Sequence, residues 1–309
     1  VLFSVENTIE RAHEDSIWAV KWCGDTVYTG SIDESVKSWV PDDGLKHNHT
    51  YEGHQLGVSS LDVSRLGDLL AVSSLDSRVR VWATEDHSLL QTIDPGPVEC
   101  WGVCFHPNGE LIATGGQSGK VSVWSVRSAN KELTIDPKGK FIMSVAYVSL
   151  SWCPGPHGAQ SPDARWIACG SMDGTVTLAD ASNGNVVRKM EGHAKPVRAL
   201  SFTHDSKLLL TGSDDATIII FEVSHTGTVA TLSEHDSWVL SLDSSPSTMH
   251  CLSGSSDKTV RVWDLRTRAT LFSFDSHGDQ VWGVSYNGDG RRGATVGDDG
   301  RLAVVNCMP

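Results

Sequence analysis

A ten-residue motif recurs seven times along this 309-residue chain, and its regular spacing restricts the possible folds more than any other feature. Each copy begins with small residues, passes through a polar turn and ends on alternating apolar positions, as in GSSDKTVRVW at 254–263. The final residues of the copies lie 43, 42, 55, 42, 42 and 42 positions apart and are Trp39, Trp82, Trp124, Ala179, Phe221, Trp263 and Val305. Chance does not keep a phase over six intervals, so we predict a repeat protein of seven units.

One interval exceeds the period by 13 residues and indicates a single insertion in the fourth unit. It comprises residues 148–160, VSLSWCPGPHGAQ. Its two prolines and two glycines are typical of a surface loop. The loop is either a tolerated excursion, which we favour, or a contact specific to this lineage.

The segments between the motif copies alternate between apolar and polar or small residues, as in IWAVKW (17–22) and VWGVSY (281–286). A period of two, bounded by Gly, Asp, Asn and Pro, predicts short antiparallel strands joined by tight turns. No helical pattern of ten or more residues occurs. No apolar run reaches about 18 residues, so we expect no membrane-spanning segment.

The repeat resembles that of WD-repeat (WD40) proteins, which have about 42 residues per unit, Gly-His early and Trp-Asp late, as at Trp263-Asp264. The resemblance covers essentially all of residues 1–309 and implies an all-β fold, a single seven-bladed WD40 β-propeller with four strands per blade. Only four residues follow Val305, so the seventh blade is expected to lack an outer strand. We expect residues 2–9 to supply that strand and close the ring, which removes an exposed sheet edge.

Histidine, serine and aspartate recur together in four units. The sets are His13/Ser31/Asp33, His54/Ser74/Asp76, His193/Ser213/Asp215 and His235/Ser255/Asp257, and three of them are followed by Trp39, Trp82 or Trp263. A catalytic triad occurs once in a protein, whereas these sets recur with the repeat, so we favour a structural role. The WD-repeat resemblance implies that the aspartate accepts a hydrogen bond from the histidine. It further implies that the histidine contacts the serine hydroxyl, which accepts the tryptophan N–H.

Five residues after each histidine, or its aligned equivalent, the chain is expected to enter the innermost strand near the mouth of the central channel. These positions are Trp18, Ser59, Trp101, Met143, Arg198, Leu240 and Trp282. A further indole, Trp238, lies two residues before Leu240. Because leucine or serine fills the same position in other blades, the blades do not require these indoles.

Exposed aromatic side chains with charges nearby form interaction hot spots. The carboxylates that flank the indoles are Asp15, Glu99 and Asp279, and each could pair with an arginine of a partner. We therefore predict a partner-binding rim made of Trp18, Trp101, Trp238 and Trp282 with these three acids. The alternative is that the indoles lean inward and pack against neighbouring blades.

Composition disfavours several other functions. With 25 Lys and Arg against 38 Asp and Glu, the net charge of −13 does not support direct nucleic-acid binding. Seven scattered cysteines without a CxxC pair predict reduced thiols rather than a zinc site. Neither a P-loop nor a GxSxG motif occurs, so we expect no enzymatic activity, no cofactor and no metal. The first residues lack a basic segment followed by a long apolar stretch, so we expect no signal peptide.

Stretches outside the repeat consensus are similar to one WD-repeat lineage. They are EGHQLGV (52–58), GKFIMSVAY (139–147), EGHAKPVRALSF (191–202), DQVWGVSYNGDG (279–290) and VGDDG (296–300). The lineage is the WD-repeat subunit of the superkiller (Ski) complex, shared in animals with the RNA polymerase II-associated factor (PAF) complex. The resemblance implies a scaffold that is monomeric by itself and binds partner segments containing Gln-Arg and a downstream apolar residue on its top face.

The same resemblance implies particular partners and locations. They are a tetratricopeptide subunit in exosome-linked mRNA decay in the cytoplasm, and PAF complex subunits in transcription elongation in the nucleus. A competing hypothesis is a propeller that reads a modified histone tail or another modified peptide. Such a reader needs an aromatic cage, which Trp18, Trp101 and Trp282 could form.

Overall fold

The computed structural model describes residues 3–97, 100–147, 165–225 and 227–307. The elements in these ranges are 28 β-strands and one short 3-10 helix, Pro41–Asp43. The strands form seven antiparallel sheets of four strands each, so the predicted seven-bladed propeller is confirmed. The insertion predicted at residues 148–160 lies outside the described residues.

The first three blades each use four consecutive strands, which run in chain order from the innermost to the outermost. Blade one consists of β2 (Ile17–Cys23), β3 (Thr26–Ser31), β4 (Val36–Val40) and β5 (Lys46–Tyr51). Blade two consists of β6 (Val58–Val63), β7 (Leu69–Ser74), β8 (Val79–Ala83) and β9 (Leu89–Ile93). Blade three consists of β10 (Gly102–Phe105), β11 (Leu111–Gly115), β12 (Val121–Ser125) and β13 (Lys131–Ile135).

The next three blades repeat the arrangement. Blade four consists of β14 (Ile142–Tyr147), β15 (Trp166–Ser171), β16 (Val176–Asp180) and β17 (Val186–Met190). Blade five consists of β18 (Val197–Phe202), β19 (Leu208–Ser213), β20 (Ile218–Glu222) and β21 (Thr228–Leu232). Blade six consists of β22 (Val239–Ser244), β23 (His250–Ser255), β24 (Val260–Asp264) and β25 (Ala269–Phe274).

Blade seven joins the two ends of the sequence. It consists of β26 (Val281–Tyr286), β27 (Arg292–Gly297), β28 (Leu302–Cys307) and the N-terminal strand β1 (Phe3–Ile9). Strand β1 pairs antiparallel with β28, from Phe3 opposite Cys307 to Ile9 opposite Leu302. The N-terminal strand therefore closes the ring, as predicted from the repeat.

The hydrophobic core lies between successive blades rather than at the centre of the molecule. One cluster joins Val176 and Leu178 of blade four to Leu209 of blade five. Alternating side chains of each strand point to opposite sheet faces, so every blade contributes to the core on both sides. The centre is instead an open channel with a volume of about 830 Å³.

Polar side chains in this channel link one blade to the next. The carboxylate of Asp62 in blade two accepts the backbone N–H of Phe105 in blade three at 2.8 Å. Asp243 of blade six accepts the N–H of Tyr286 in blade seven at the same distance. The Asp62 carboxylate lies 3.4 Å from the Lys21 ammonium and raises the pKa of that lysine. These hydrogen bonds fix the position of each blade relative to its neighbour along the axis of the channel.

Deleting residues 1–10 should destabilise the whole protein, because it removes β1 and leaves β28 as an unpaired edge. We expect the melting temperature to fall by at least ~5 °C, because the deletion removes several ladder hydrogen bonds of ~0.5–1.5 kcal/mol each, at ~2–4 °C per kcal/mol. Thermal denaturation followed by circular dichroism measures the change. Glu6→Ala is the control, because this exposed side chain lies in β1 and the substitution retains the backbone pairing. Equal melting temperatures for the deletion and the intact chain would contradict the role of β1.

Candidate functional site

We call the end of the propeller that carries the histidine-containing loops and the β-turns between second and third strands the top face. In blade one, Nδ1 of His13 lies 2.9 Å from a carboxylate oxygen of Asp33, and Nε2 lies 2.8 Å from the hydroxyl of Thr29. The indole N–H of Trp39 donates to the same hydroxyl at 2.8 Å. Donors and acceptors thus alternate from the indole to the carboxylate, which satisfies every polar group.

The hydroxyl in this network differs from the predicted one. We expected Ser31, Ser74, Ser213 and Ser255 to contact the histidine, and that assignment is wrong. The contacting residue lies two positions earlier in the chain: Thr29 in blade one, Thr211 in blade five and Ser253 in blade six. Residues two apart on a strand lie on the same sheet face, so the sequence pattern alone does not separate the two positions.

The four serines instead hold the turn against the loop that leads into the innermost strand. The Ser31 hydroxyl accepts the backbone N–H of Asp33 at 3.1 Å and donates to the carbonyl oxygen of Ser16 at 2.8 Å. The corresponding serines donate to the carbonyl oxygens of Leu56, Lys195 and Ser237. Each serine therefore positions the loop that precedes a residue of the channel mouth.

The blades differ in how much of the network they contain. Blade six has all four groups, and there Ser253 accepts from the Trp263 indole and contacts His235, which contacts Asp257. Burial opposes ionisation of Asp257, but hydrogen bonds from His235 and Thr259 outweigh it and lower the pKa of this carboxyl. In blade five, His193 contacts Asp215 and Thr211, but Phe221 has no N–H to contribute.

Blade two keeps its histidine but pairs it differently. Its histidine, His54, contacts Asp76 at 3.2 Å, but Nδ1 also lies 2.6 Å from the guanidinium of Arg80. The same guanidinium nitrogen donates to the Asp76 carboxylate at 2.7 Å, so ring, guanidinium and carboxylate meet at one point. Within the described chain the buried Nε2 of this ring has no hydrogen-bond partner, because the position equivalent to Thr29 is Val72. Burial and the adjacent Arg80 lower the pKa of His54 to about 4.

Val72→Thr should stabilise the protein by about 1 kcal/mol, because the new hydroxyl, which can donate or accept, would pair with the unpaired Nε2 of His54. Urea denaturation measures the free energy of unfolding. Val81→Thr is the matched control, since both valines are fully buried in apolar clusters, whereas only Val72 of the two occupies the position equivalent to Thr29. We expect Val81→Thr to destabilise. A loss of stability with both variants would contradict the proposed gain of a hydrogen-bond partner for His54.

Stability should also fall as the pH drops from about 6.5 to about 4. Burial lowers the pKa of His13 and of His54, so below pH 6.5 the unfolded chain takes up protons that the folded protein excludes. His54 alone should cost about 2 kcal/mol at pH 5 relative to pH 7.5. Urea denaturation at both pH values tests this, and His54→Asn should show a smaller pH dependence. A wild-type stability that does not change between these pH values would contradict the buried neutral state.

Three of the predicted rim residues come together at the channel mouth. The rings of Trp18 and Trp282 stack with their centroids 5.1 Å apart at an interplanar angle of 27°. Trp101 lies 6.2 Å from Trp18, and its other neighbour is Phe141 at 5.5 Å. All three indoles are half-buried, so they partly pack against one another while keeping an accessible surface. We call Trp18, Trp101 and Trp282 the indole cluster.

The fourth predicted rim residue, Trp238, is separate from this cluster. It is 43% exposed, and one face of its ring is covered by the Arg198 guanidinium at 5.3 Å. That guanidinium is itself held by two hydrogen bonds to the carboxylate of Asp214. Trp238 is therefore an oriented aromatic side chain rather than a freely rotating one.

The predicted rim carboxylates are only partly described. Asp15 and Asp279 are exposed on the top face, on the two blades that carry the stacked indoles. The ammonium of Lys258 lies 3.9 Å from Asp279, a separation at which the carboxylate is still accessible to another cation. Glu99 lies outside the described residues.

Sequence reasoning missed further exposed residues on the top face. Leu56 and Leu75 are 50% and 41% exposed and lie in neighbouring loops of blade two, where the Leu75 N–H donates to the carbonyl of Gly57. Phe141 and Asp214 were also missed. Phe141 contacts Trp101 of the preceding blade, and Asp214 holds Arg198 against Trp238 of the next blade. The available signal for Leu75 was that its turn position is polar in blades three, five, six and seven.

The described ranges contain no group of three His, Cys, Asp or Glu side chains arranged to hold a metal ion. No helix in those ranges is long and apolar enough to span a membrane. The top face offers the aromatic surfaces, carboxylates and hydrogen-bond donors described above.

Comparison with known proteins places these features in a family context. The family model described as "WD domain, G-beta repeat" matches residues 5–39, 45–83, 88–125, 158–180, 184–222, 227–264 and 268–306. WD repeat-containing protein SL1-17 of Schistosoma mansoni is 34% identical over 214 residues, which are 67% of this chain and 66% of that protein. WD repeat-containing protein VIP3 of Arabidopsis thaliana is 37% identical over 211 residues, 63% of each chain.

A shorter match is found with Superkiller complex protein 8 of Dictyostelium discoideum. It is 37% identical over 106 residues, which are 34% of this chain and 36% of that protein. The matches cover just under two thirds of the lengths of SL1-17 and VIP3.

Proposed function

Because the chain belongs to the WD-repeat family, we propose that it is a non-catalytic scaffold that binds partner proteins through short segments laid across its top face. The observation that carries the proposal is the indole cluster at the channel mouth. Buried or half-buried aromatic groups surrounded by polar residues are the usual energetic centres of protein interfaces. Trp18, Trp101 and Trp282 occupy positions that serine, methionine, arginine and leucine occupy in the other blades.

We propose two assemblies for this scaffold. One is a Ski-type complex in cytoplasmic mRNA decay, where the partner is a tetratricopeptide subunit. The other is the PAF complex in nuclear transcription elongation. The similarity to Superkiller complex protein 8 of Dictyostelium discoideum supports the first assembly. The second rests on the sequence stretches shared with that lineage, such as DQVWGVSYNGDG at 279–290.

The charges of the top face favour a partner segment with a basic residue. Asp15 and Asp279 flank the stacked indoles and are exposed. An arginine of the segment can pair with such a carboxylate, while an apolar side chain a few residues along the segment packs on the indoles. RNA and chromatin would then be reached through partner proteins, in keeping with the net charge of −13.

The geometry of the indole cluster does not favour the competing hypothesis, a propeller that reads a methylated peptide. A caged methylammonium group lies over aromatic faces that are separated by its own width. In the structure Trp18 and Trp282 are stacked on each other, with 5.1 Å between centroids, so no cage is preformed for the cation. An extended segment needs no preformed cage, because its apolar side chains can pack on the ring surfaces.

Affinity purification tests the scaffold proposal. We compare wild type with the double variant Trp101→Ala/Trp282→Ala, after circular dichroism shows that both are folded. The control is Leu66→Ala, an 87% exposed leucine in the turn at the opposite end of β6 and β7. We expect only the double variant to lose a tetratricopeptide partner. Removing two hot-spot residues should weaken the binding affinity at least about tenfold. Recovery of the same partners with all three proteins would contradict the proposal.

A further inference from the structure

The two stacked indoles differ from the other well-buried tryptophans in their hydrogen bonding. The N–H groups of Trp18 and Trp282 are both buried and have no acceptor within the described chain. By contrast, the indoles of Trp39, Trp124 and Trp263 donate to the hydroxyls of Thr29, Thr114 and Ser253. A buried donor without an acceptor is unfavourable, because folding has removed its water and supplied nothing in return.

The position of the pair explains how this arrangement is held. Trp18 is the second residue of the innermost strand of blade one, and Trp282 is the second residue of that of blade seven. The next residue in blade seven is Gly283, where an added Cβ would lie 2.9 Å from Val20 and 2.8 Å from Val296. The missing side chain lets the two innermost strands approach closely, which brings the indoles into contact. The close approach of the two strands thus stacks the rings and leaves the two indole N–H groups without acceptors.

The surroundings indicate what kind of group could accept these hydrogen bonds. Asp15 and Asp279 are exposed on the same two blades, so a carboxylate or phosphate acceptor would meet like charges there. A neutral acceptor avoids that repulsion. An extended polypeptide offers such acceptors along its main chain, and the channel of about 830 Å³ gives the rings space to rotate.

Resting on the function proposed above, we infer that the Trp18–Trp282 pair is the closed form of the partner site. A partner segment opens it by supplying main-chain carbonyl oxygens to the two indole N–H groups. The stack separates as these hydrogen bonds form, and the exposed ring faces then pack on the segment. The unpaired donors make the closed form less stable than a stacked pair alone would be, and so lower the free-energy cost of opening.

The first test needs no partner. Trp18 or Trp282 is replaced by 3-benzothienylalanine, which has the shape of tryptophan but no N–H. Thermal denaturation should then give an unchanged or higher melting temperature. The same replacement at Trp263, whose N–H donates to Ser253 at 2.7 Å, should lower it. A fall at Trp18 and Trp282 as large as the fall at Trp263 would show that their N–H groups are already bonded, and would overturn the inference.

The second test uses the tetratricopeptide subunit recovered with wild-type protein. In protein with ¹⁵N-labelled tryptophan, binding should shift the indole N–H resonances of Trp18 and Trp282 downfield, while those of Trp39 and Trp263 stay in place. Replacement of either rim indole by 3-benzothienylalanine should weaken binding about fivefold, as expected for one neutral hydrogen bond. Unchanged resonances or unchanged affinity on binding would overturn the opening mechanism. Recovery of no partner would instead refute the proposed function, and the denaturation test would still decide the state of the N–H groups.

Discussion

The pairing of β1 with β28 is the interaction on which the rest of the molecule depends. A propeller blade that lacks its outer strand leaves a row of unpaired backbone groups, and in this protein the N-terminal strand covers them. The same pairing brings the beginning and the end of the described chain into one sheet. Blades seven and one are therefore neighbours, and the Trp18–Trp282 stack spans the junction between them. The candidate site exists only in the closed ring.

The hydrogen-bond networks connect this architecture to the site. The aspartate and histidine of each network fix the top-face turn, and the serine two residues before the aspartate ties that turn to the incoming loop. In blade one, Ser31 donates to the carbonyl oxygen of Ser16, two residues before Trp18. The indole is thus positioned by a buried polar network rather than by surface packing alone. In blade two, where the network is incomplete at His54, the equivalent rim residue is the small Ser59.

The sequence was sufficient to predict the architecture, because a period of about 42 residues with Gly-His early and Trp-Asp late resembles the WD repeat, which implies one four-stranded blade per unit. Ring closure by residues 2–9 and the positions at the channel mouth followed from the same period. The hydroxyl of the network could not be assigned, because Thr29 and Ser31 share residue chemistry and strand face. Contacts between blades, such as that of Arg198 with Trp238, could not be predicted either, because they depend on how the blades are rotated relative to one another.

The asymmetry of the top face explains how seven similar blades can form one specific site. The repeat requires an apolar residue at the start of each innermost strand, such as Ile17, and a small residue two positions later, such as Ala19. It does not constrain the residue between them, which faces the channel mouth. Indoles occupy that position in blades seven, one and three, while the remaining blades carry Ser59, Met143, Arg198 and Leu240. In the proposed binding mode, a partner segment meets one aromatic side of the mouth, flanked by Asp15 and Asp279, and this single-sided chemistry favours one location on the top face.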